Sequence, residues 1–122
     1  HLVSVVSGRL VTGASALDAV LAAFPGGSIT GAPKYRACEI ISQLEANERG
    51  PYCGTLGYVG FDGNADLNIL IRTFVVGENN ITFSAGGGVT VGSDPGMEYA
   101  ESLHKAEGML SVFESTAAGG AI

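Results

Sequence analysis

Glu98, Glu101 and Lys105 form the plainest chemical pattern in the chain. On a helix, at about 100° per residue, the three fall within a sector roughly 60° wide. Two carboxylates one turn apart can share Mg2+, which takes a few carboxylates and fills its shell with water and substrate oxygens. Lys105 would then meet a substrate anion beside the metal. The competing arrangement is a surface i,i+4 pair of Glu101 and Lys105 with Glu98 solvated. His104 falls off the sector and is expected to be exposed.

Three other places suggest an anion. Gly86, Gly87 and Gly88 follow Ala85 at the end of a strand-like run. Glycine there weakens a strand, so three in a row point to backbone N–H groups approached closely by a ligand carboxylate. A bulge or sheet bend is the alternative. Arg72 sits in Asn68–Thr73 (NILIRT). Ile69 and Ile71 would share one pleat, leaving Arg72 on the other with Asn68 and Leu70. Its planar fork suits bidentate capture of a carboxylate, and an ordinary outward arginine is the alternative. Lys34 and Arg36 fall in the first turn of a helix, where the macrodipole disfavours cations. Beside a glycine loop, they suggest an anion or carboxylate partner, and two solvated bases on a surface turn are the alternative.

The loop Gly26–Lys34 (GGSITGAPK) is not a nucleotide P-loop. Gly26 and Gly31 have the spacing, but Ala32 stands where lysine is required and Lys34 comes two residues late, behind a proline with no N–H. The preceding segment reads as a helix, not a strand. Gly86–Gly88 lacks the later glycine of the dinucleotide pattern. No nucleophile–base arrangement and no zinc-ligand spacing is present.

These residues need elements to hold them. His1–Thr12 is rich in β-branched residues and reads as a strand bent at Gly8. Ser15–Phe24 reads as a helix capped by Ser15, with Leu17, Val20, Leu21 and Phe24 as its buried stripe. Pro25-Gly26-Gly27 stops it. Pro33 suits the first turn of a second helix that reaches Glu45 on Ala37, Ile40, Ile41 and Leu44. Cys53–Phe61, Asp66–Val76 and Ile81–Val91 read as three consecutive strands, turned at Asp62-Gly63-Asn64 and at Gly77–Asn80. Asp94 and Pro95 then cap a long helix to about Phe113, with Tyr99, Leu103, Ala106, Leu110 and Phe113 facing the core. The order predicts an α+β fold, an antiparallel meander with helices packed on one face. Residues 1–115 read as one piece of a domain and residues 116–122 as a flexible tail.

The chain has 122 residues, 46% of them hydrophobic and 15% charged. That composition excludes disorder. A net charge of −6 leaves too few bases for a nucleic-acid surface. Apolar runs are too short to cross a membrane, and no signal segment opens the chain. Cys38 and Cys53 suggest two buried thiols in a reducing cytoplasm rather than a disulfide framework. The absence of an initiator Met suggests a piece of a longer protein. On these residues alone, the chain is an α+β domain presenting an anion site with a candidate Mg2+ pair.

Several stretches, taken together and in order, resemble the C-terminal half of the chorismate-utilising enzymes. They are His1-Leu2, Phe24–Lys34 (FPGGSITGAPK), Tyr52–Tyr58 (YCGTLGY), Ile71-Arg72-Thr73, Ala85–Val89 (AGGGV) and Ser93–Lys105 (SDPGMEYAESLHK). The family includes anthranilate, aminodeoxychorismate, isochorismate and salicylate synthases. The SITGAPK stretch resembles the aminodeoxychorismate synthase version. That resemblance implies conversion of chorismate and ammonia to 4-amino-4-deoxychorismate, for para-aminobenzoate and folate synthesis, with ammonia from a glutamine amidotransferase subunit or domain. It implies Mg2+ on Glu98 and Glu101. Tyr52, Arg72, Lys105 and the amides of Gly86, Gly87 and Gly88 would contact substrate carboxylates. Ser28 would line the ring pocket, and His1 would sit near the reacting ring, so that His1 and Lys105 are the catalytic candidates.

The family's earlier half supplies further Mg2+ glutamates and, in aminodeoxychorismate synthases, a lysine nucleophile in a Pro-Ile-Lys-Gly-Thr stretch. Neither is present in these residues. The activity would therefore belong to a parent protein, and the chain alone is expected to be inactive and to self-associate through exposed edges. Anthranilate synthase component I and a non-catalytic anion-binding module are the alternatives.

Overall fold

A computed structural model describes residues 3–118. His1 lies outside the described residues, as do residues 119–122 of the expected tail.

Residues 3–11 form no regular element, against the expected first strand. Val5 and Val6 are each 93% exposed. Their β-branched side chains suit a strand, but a strand exists only through a partner's ladder, and no segment among the described residues pairs with this one.

Helix α1 spans Ala16–Ala23 and starts as expected at Ser15. The Ser15 hydroxyl accepts from the Asp18 N–H at 3.2 Å, and the Asp18 carboxylate accepts from the Ser15 N–H at 2.8 Å. This reciprocal box satisfies two of the N–H groups a helix leaves unpaired at its start. A short helix α2, Gly27–Thr30, leads to α3, Lys34–Leu44. Gly31 makes the turn between them at φ +104°, and a Cβ there would sit 3.0 Å from that of Ala37. Pro33 caps α3 rather than occupying its first turn.

The sheet departs from the expected meander. Strands β1 (Thr55–Val59) and β2 (Ala65–Ile69) pair antiparallel, from Thr55 opposite Ile69 to Val59 opposite Ala65. Strands β3 (Phe74–Val76) and β4 (Ile81–Phe83) form a separate hairpin. The expected strand over Asp66–Val76 is cut at Leu70–Thr73. There the Ile71 N–H turns back to the Ile69 carbonyl at 2.9 Å, and Arg72 adopts φ +51°. Neither is compatible with extended pairing. The turns themselves stand where expected: Gly63 takes φ +83°, and the Gly77 N–H donates to the Asn80 carbonyl at 2.8 Å.

Helix α4, Pro95–Ala118, is capped by Asp94, whose Oδ1 accepts from the Met97 N–H at 2.9 Å. It runs past Phe113 because no glycine or proline interrupts the sequence between there and Gly119. The fold class is α+β. Packing between elements is thin. Phe74 meets Phe83 and Phe113 edge-on, at 5.5 and 5.3 Å between ring centres, joining the second hairpin to α4. Met109, 8% exposed, is the one buried hydrophobic side chain among the described residues. The expected core stripes of α1 and α4 are largely open, with Tyr99 68% exposed. Cys38 and Cys53 are free and half-buried rather than buried.

Candidate functional site

The first turns of α4 carry Glu98, Glu101 and Lys105 on one face, because positions three and four apart stack along a helix. The Gly86–Gly88 segment, beyond the end of β4, runs against that face. A Cβ on Gly87 would lie 3.1 Å from Glu98 Oε2, 3.7 Å from Glu101 Oε1 and 3.9 Å from Lys105 Nζ. Lys105 Nζ donates to the Gly86 carbonyl at 3.2 Å and to Glu101 Oε1 at 2.5 Å. The surface pair between Glu101 and Lys105 is therefore present, and the lysine also ties the helix to the glycine segment. His104 points away and is exposed, 3.4 Å from Glu107.

Tyr52 reaches the same segment at Gly86. Its hydroxyl oxygen lies 3.0 Å from where a Cβ of Gly86 would stand. Burial pushes the Tyr52 hydroxyl above its ordinary pKa, with the Cys53 thiol adding to the shift and Arg49 opposing it. Tyr52 therefore stays a neutral O–H donor at neutral pH. Tyr52, Gly86, Gly87, Glu98, Glu101 and Lys105 thus meet in one place, and Gly88 continues the segment. Two carboxylates, one ammonium and one phenol face a backbone with no side chains to fill the space.

Other expected residues lie apart. Arg72 is exposed in the break between β2 and β3 and makes no hydrogen bond or ion pair among the described residues. It is not on the strand pleat expected for it, because positive φ takes it out of the ladder. Ser28 is exposed on α2. An apolar cavity of about 230 Å3 opens between α1, α2 and the first hairpin, lined by residues including Val20, Phe24, Ile29, Cys53, Leu67 and Ile69, and Ser28 is not part of it.

The expected anion beside Lys34 is replaced by loop atoms. Lys34 Nζ donates to the carbonyls of Gly26 at 2.7 Å and Gly27 at 2.9 Å, and to the Thr30 hydroxyl. A lysine has three donors, so these acceptors use them all. Arg36 pairs with Glu39 at 3.0 Å.

One contact at the site carries a signal in the sequence spacing alone. Arg49 lies three residues before Tyr52 and four after Glu45. Its guanidinium stands over the Tyr52 ring, 5.7 Å from the centroid, and grips Glu45 through two hydrogen bonds.

Among the described residues no group of three or more His, Cys, Asp or Glu side chains gathers around a point. Glu98 and Glu101 form a two-carboxylate set of hard oxygens. That set suits Mg2+, which keeps several waters and is commonly held by one or two carboxylates.

The sequence family described as chorismate binding enzyme matches residues 1–111. Anthranilate synthase component 1 1 of Haloarcula marismortui is 53% identical over 93% of this chain and 23% of its own length. Anthranilate synthase component 1 of Streptomyces coelicolor is 50% identical over 91% of the chain and 22% of its own. Aminodeoxychorismate synthase component 1 of Klebsiella aerogenes is 48% identical over 94% and 26%. The chain spans about a quarter of the length of these curated relatives, less than the half expected from its motifs. With the match covering nearly all of its residues, the chain belongs to the chorismate-binding enzyme family.

Proposed function

We propose that the chain forms one wall of a chorismate-aminating site in a longer protein. The observation that carries this reading is the convergence of Tyr52 and Lys105 on Gly86 and of Glu98 and Glu101 on Gly87. Chorismate is an allylic dianion, and replacing its hydroxyl by ammonia requires its carboxylates to be held while an oxygen leaves. Lys105 supplies charge and Tyr52 an O–H donor for a carboxylate, and the open glycine segment leaves it room. Glu98 and Glu101 would hold Mg2+. When bound, Mg2+ would neutralise substrate carboxylate charge. His1, Ser28 and Arg72 enter this proposal through the motifs they match. A reducing cytoplasm is the compartment it implies.

The stretch Ser28–Lys34 favours 4-amino-4-deoxychorismate as product, with a glutamine amidotransferase supplying ammonia. The identities of 53% and 50% to two anthranilate synthases favour anthranilate as a second reading. The full-length protein, given chorismate, ammonium and Mg2+, is expected to form aminodeoxychorismate, identified by mass. Anthranilate instead would select the second reading, and no aminated product would end both. In that protein, Glu98→Ala or Glu101→Ala is expected to abolish turnover. Near-normal rates would make these residues an ordinary solvated helix face.

A further inference from the structure

We infer that Arg49, locked by Glu45, is a positioning residue that holds the Tyr52 ring against the Gly86–Gly88 segment and so presents the Tyr52 hydroxyl to the substrate anion. The inference rests on the chorismate-amination reading and extends it to two residues outside the converging set. Arg49 Nε donates to Glu45 Oε2 at 2.8 Å, and Nη2 donates to Oε1 at 2.5 Å. This two-point grip fixes the plane of the guanidinium. The Arg49 side chain is only 25% exposed, whereas Arg36, held to Glu39 by one bond, is 62% exposed.

The pair is not a rung within a helix. Glu45 is the C-cap of α3, and Arg49 lies beyond the helix end. A carboxylate at a helix C-terminus is opposed by the macrodipole, so Glu45 needs the cation it holds. From Arg49 the chain turns tightly. Gly50 takes φ +57°, and the Tyr52 N–H donates to the Arg49 carbonyl at 3.1 Å. This turn brings the guanidinium over the Tyr52 ring at 5.7 Å, within cation–π range. The far end of the same side chain carries the hydroxyl beside Gly86. Tyr52 is thus held at its ring by Arg49, with its hydroxyl close to Gly86. Such a side chain offers its donor without first losing rotamer freedom.

The test uses the full-length protein and two readouts. In the first, 3-fluorotyrosine replaces Tyr52 and 19F NMR is recorded without substrate. Arg49→Met is expected to shift and narrow the signal, Glu45→Gln to move it in the same direction, and Arg49→Lys to restore part of the wild-type signal. A signal that Glu45→Gln leaves unchanged overturns the inference. In the second, Arg49→Met is expected to raise KM for chorismate about tenfold while kcat changes less than about threefold. In a Tyr52→Ala background the same substitution is expected to change KM less than about twofold, since its target is gone. An additive double variant means that Arg49 merely staples its loop, and overturns the inference. A wild-type protein that does not aminate chorismate overturns the proposed function instead, and the fluorine signal then decides the anchoring of Tyr52 alone.

Discussion

At Gly87 a single added carbon would touch three charged side chains, at 3.1 Å from Glu98, 3.7 Å from Glu101 and 3.9 Å from Lys105. All three atoms are the ends of flexible side chains, so an alanine fits by pushing them aside rather than by breaking the fold. In the full-length protein, Gly87→Ala is therefore expected to lower chorismate turnover by about tenfold or more, with a melting temperature little changed. A large loss of melting temperature would mean that the glycine serves the backbone rather than the site. The Glu45 carboxyl gives a pH test. Hydrogen bonds from Arg49 hold it below its ordinary value, against the opposing pull of burial. A depressed carboxyl pKa contributes stability above its unfolded value and loses it as pH falls through the folded one. The stability difference between wild type and Glu45→Gln is accordingly expected to shrink on acidification through the carboxylate range, measured by denaturant titration. A pH-independent difference would show that Glu45 acts through packing. At this scale the Glu98, Glu101 and Lys105 face was legible because helical spacing alone sets it. Lys34 was not, because the acceptors it found are carbonyls of its own loop, which no residue type announces.

The elements were legible wherever a local rule decides them. Ser15 with Asp18 and Asp94 before Pro95 declare their helices by side-chain chemistry within three or four residues. The turns at Gly63 and Gly77–Asn80 declare the hairpins likewise. The break at Leu70–Thr73 had no such signal, since its key residue, Arg72 at φ +51°, is a type that seldom takes that conformation. The first strand failed for the opposite reason: its composition is right, and what it needs is a partner. The β1–β2 hairpin carries a sharp requirement of its own. A Cβ on Gly57 would run into the Asp66 carbonyl oxygen and stand 2.6 Å from the Leu67 Cα. These are backbone atoms of the paired strand and cannot step aside. Gly57→Ala is expected to destabilise the full-length protein by several kcal/mol, roughly the scale of severe single substitutions. A change within about 0.5 kcal/mol, the size of an ordinary surface substitution, would mean that β1 and β2 leave room for a side chain at Gly57.

Across the whole molecule the apolar surface outweighs what the chain can cover. Met109 is the one buried hydrophobic side chain among the described residues, while Val3, Leu21, Leu44, Leu56, Val89 and Tyr99 are all exposed. A chain whose large apolar side chains stand mostly open gains little from burial to set against the ordering of its backbone. The amphipathic stripes on α1 and α4 were legible in the sequence, but what they face was not, because periodicity reports which side is apolar and says nothing of the surface that covers it. The relatives are about four times longer, so a covering surface from the rest of a longer protein is the arrangement these stripes suit. The 122-residue chain by itself is therefore expected to bury its open faces against copies of itself. Light scattering should give a mass well above the 12.4 kDa of one chain, and thermal melting should be broad. Incubated with chorismate, ammonium and Mg2+, it should form neither aminodeoxychorismate nor anthranilate. A clean monomer at high micromolar concentration with a cooperative melt would overturn the first expectation and mark the chain as an independent module. Aminated product from the pure chain would overturn the second, by showing that the residues around Gly86–Gly88 make a complete site without another wall.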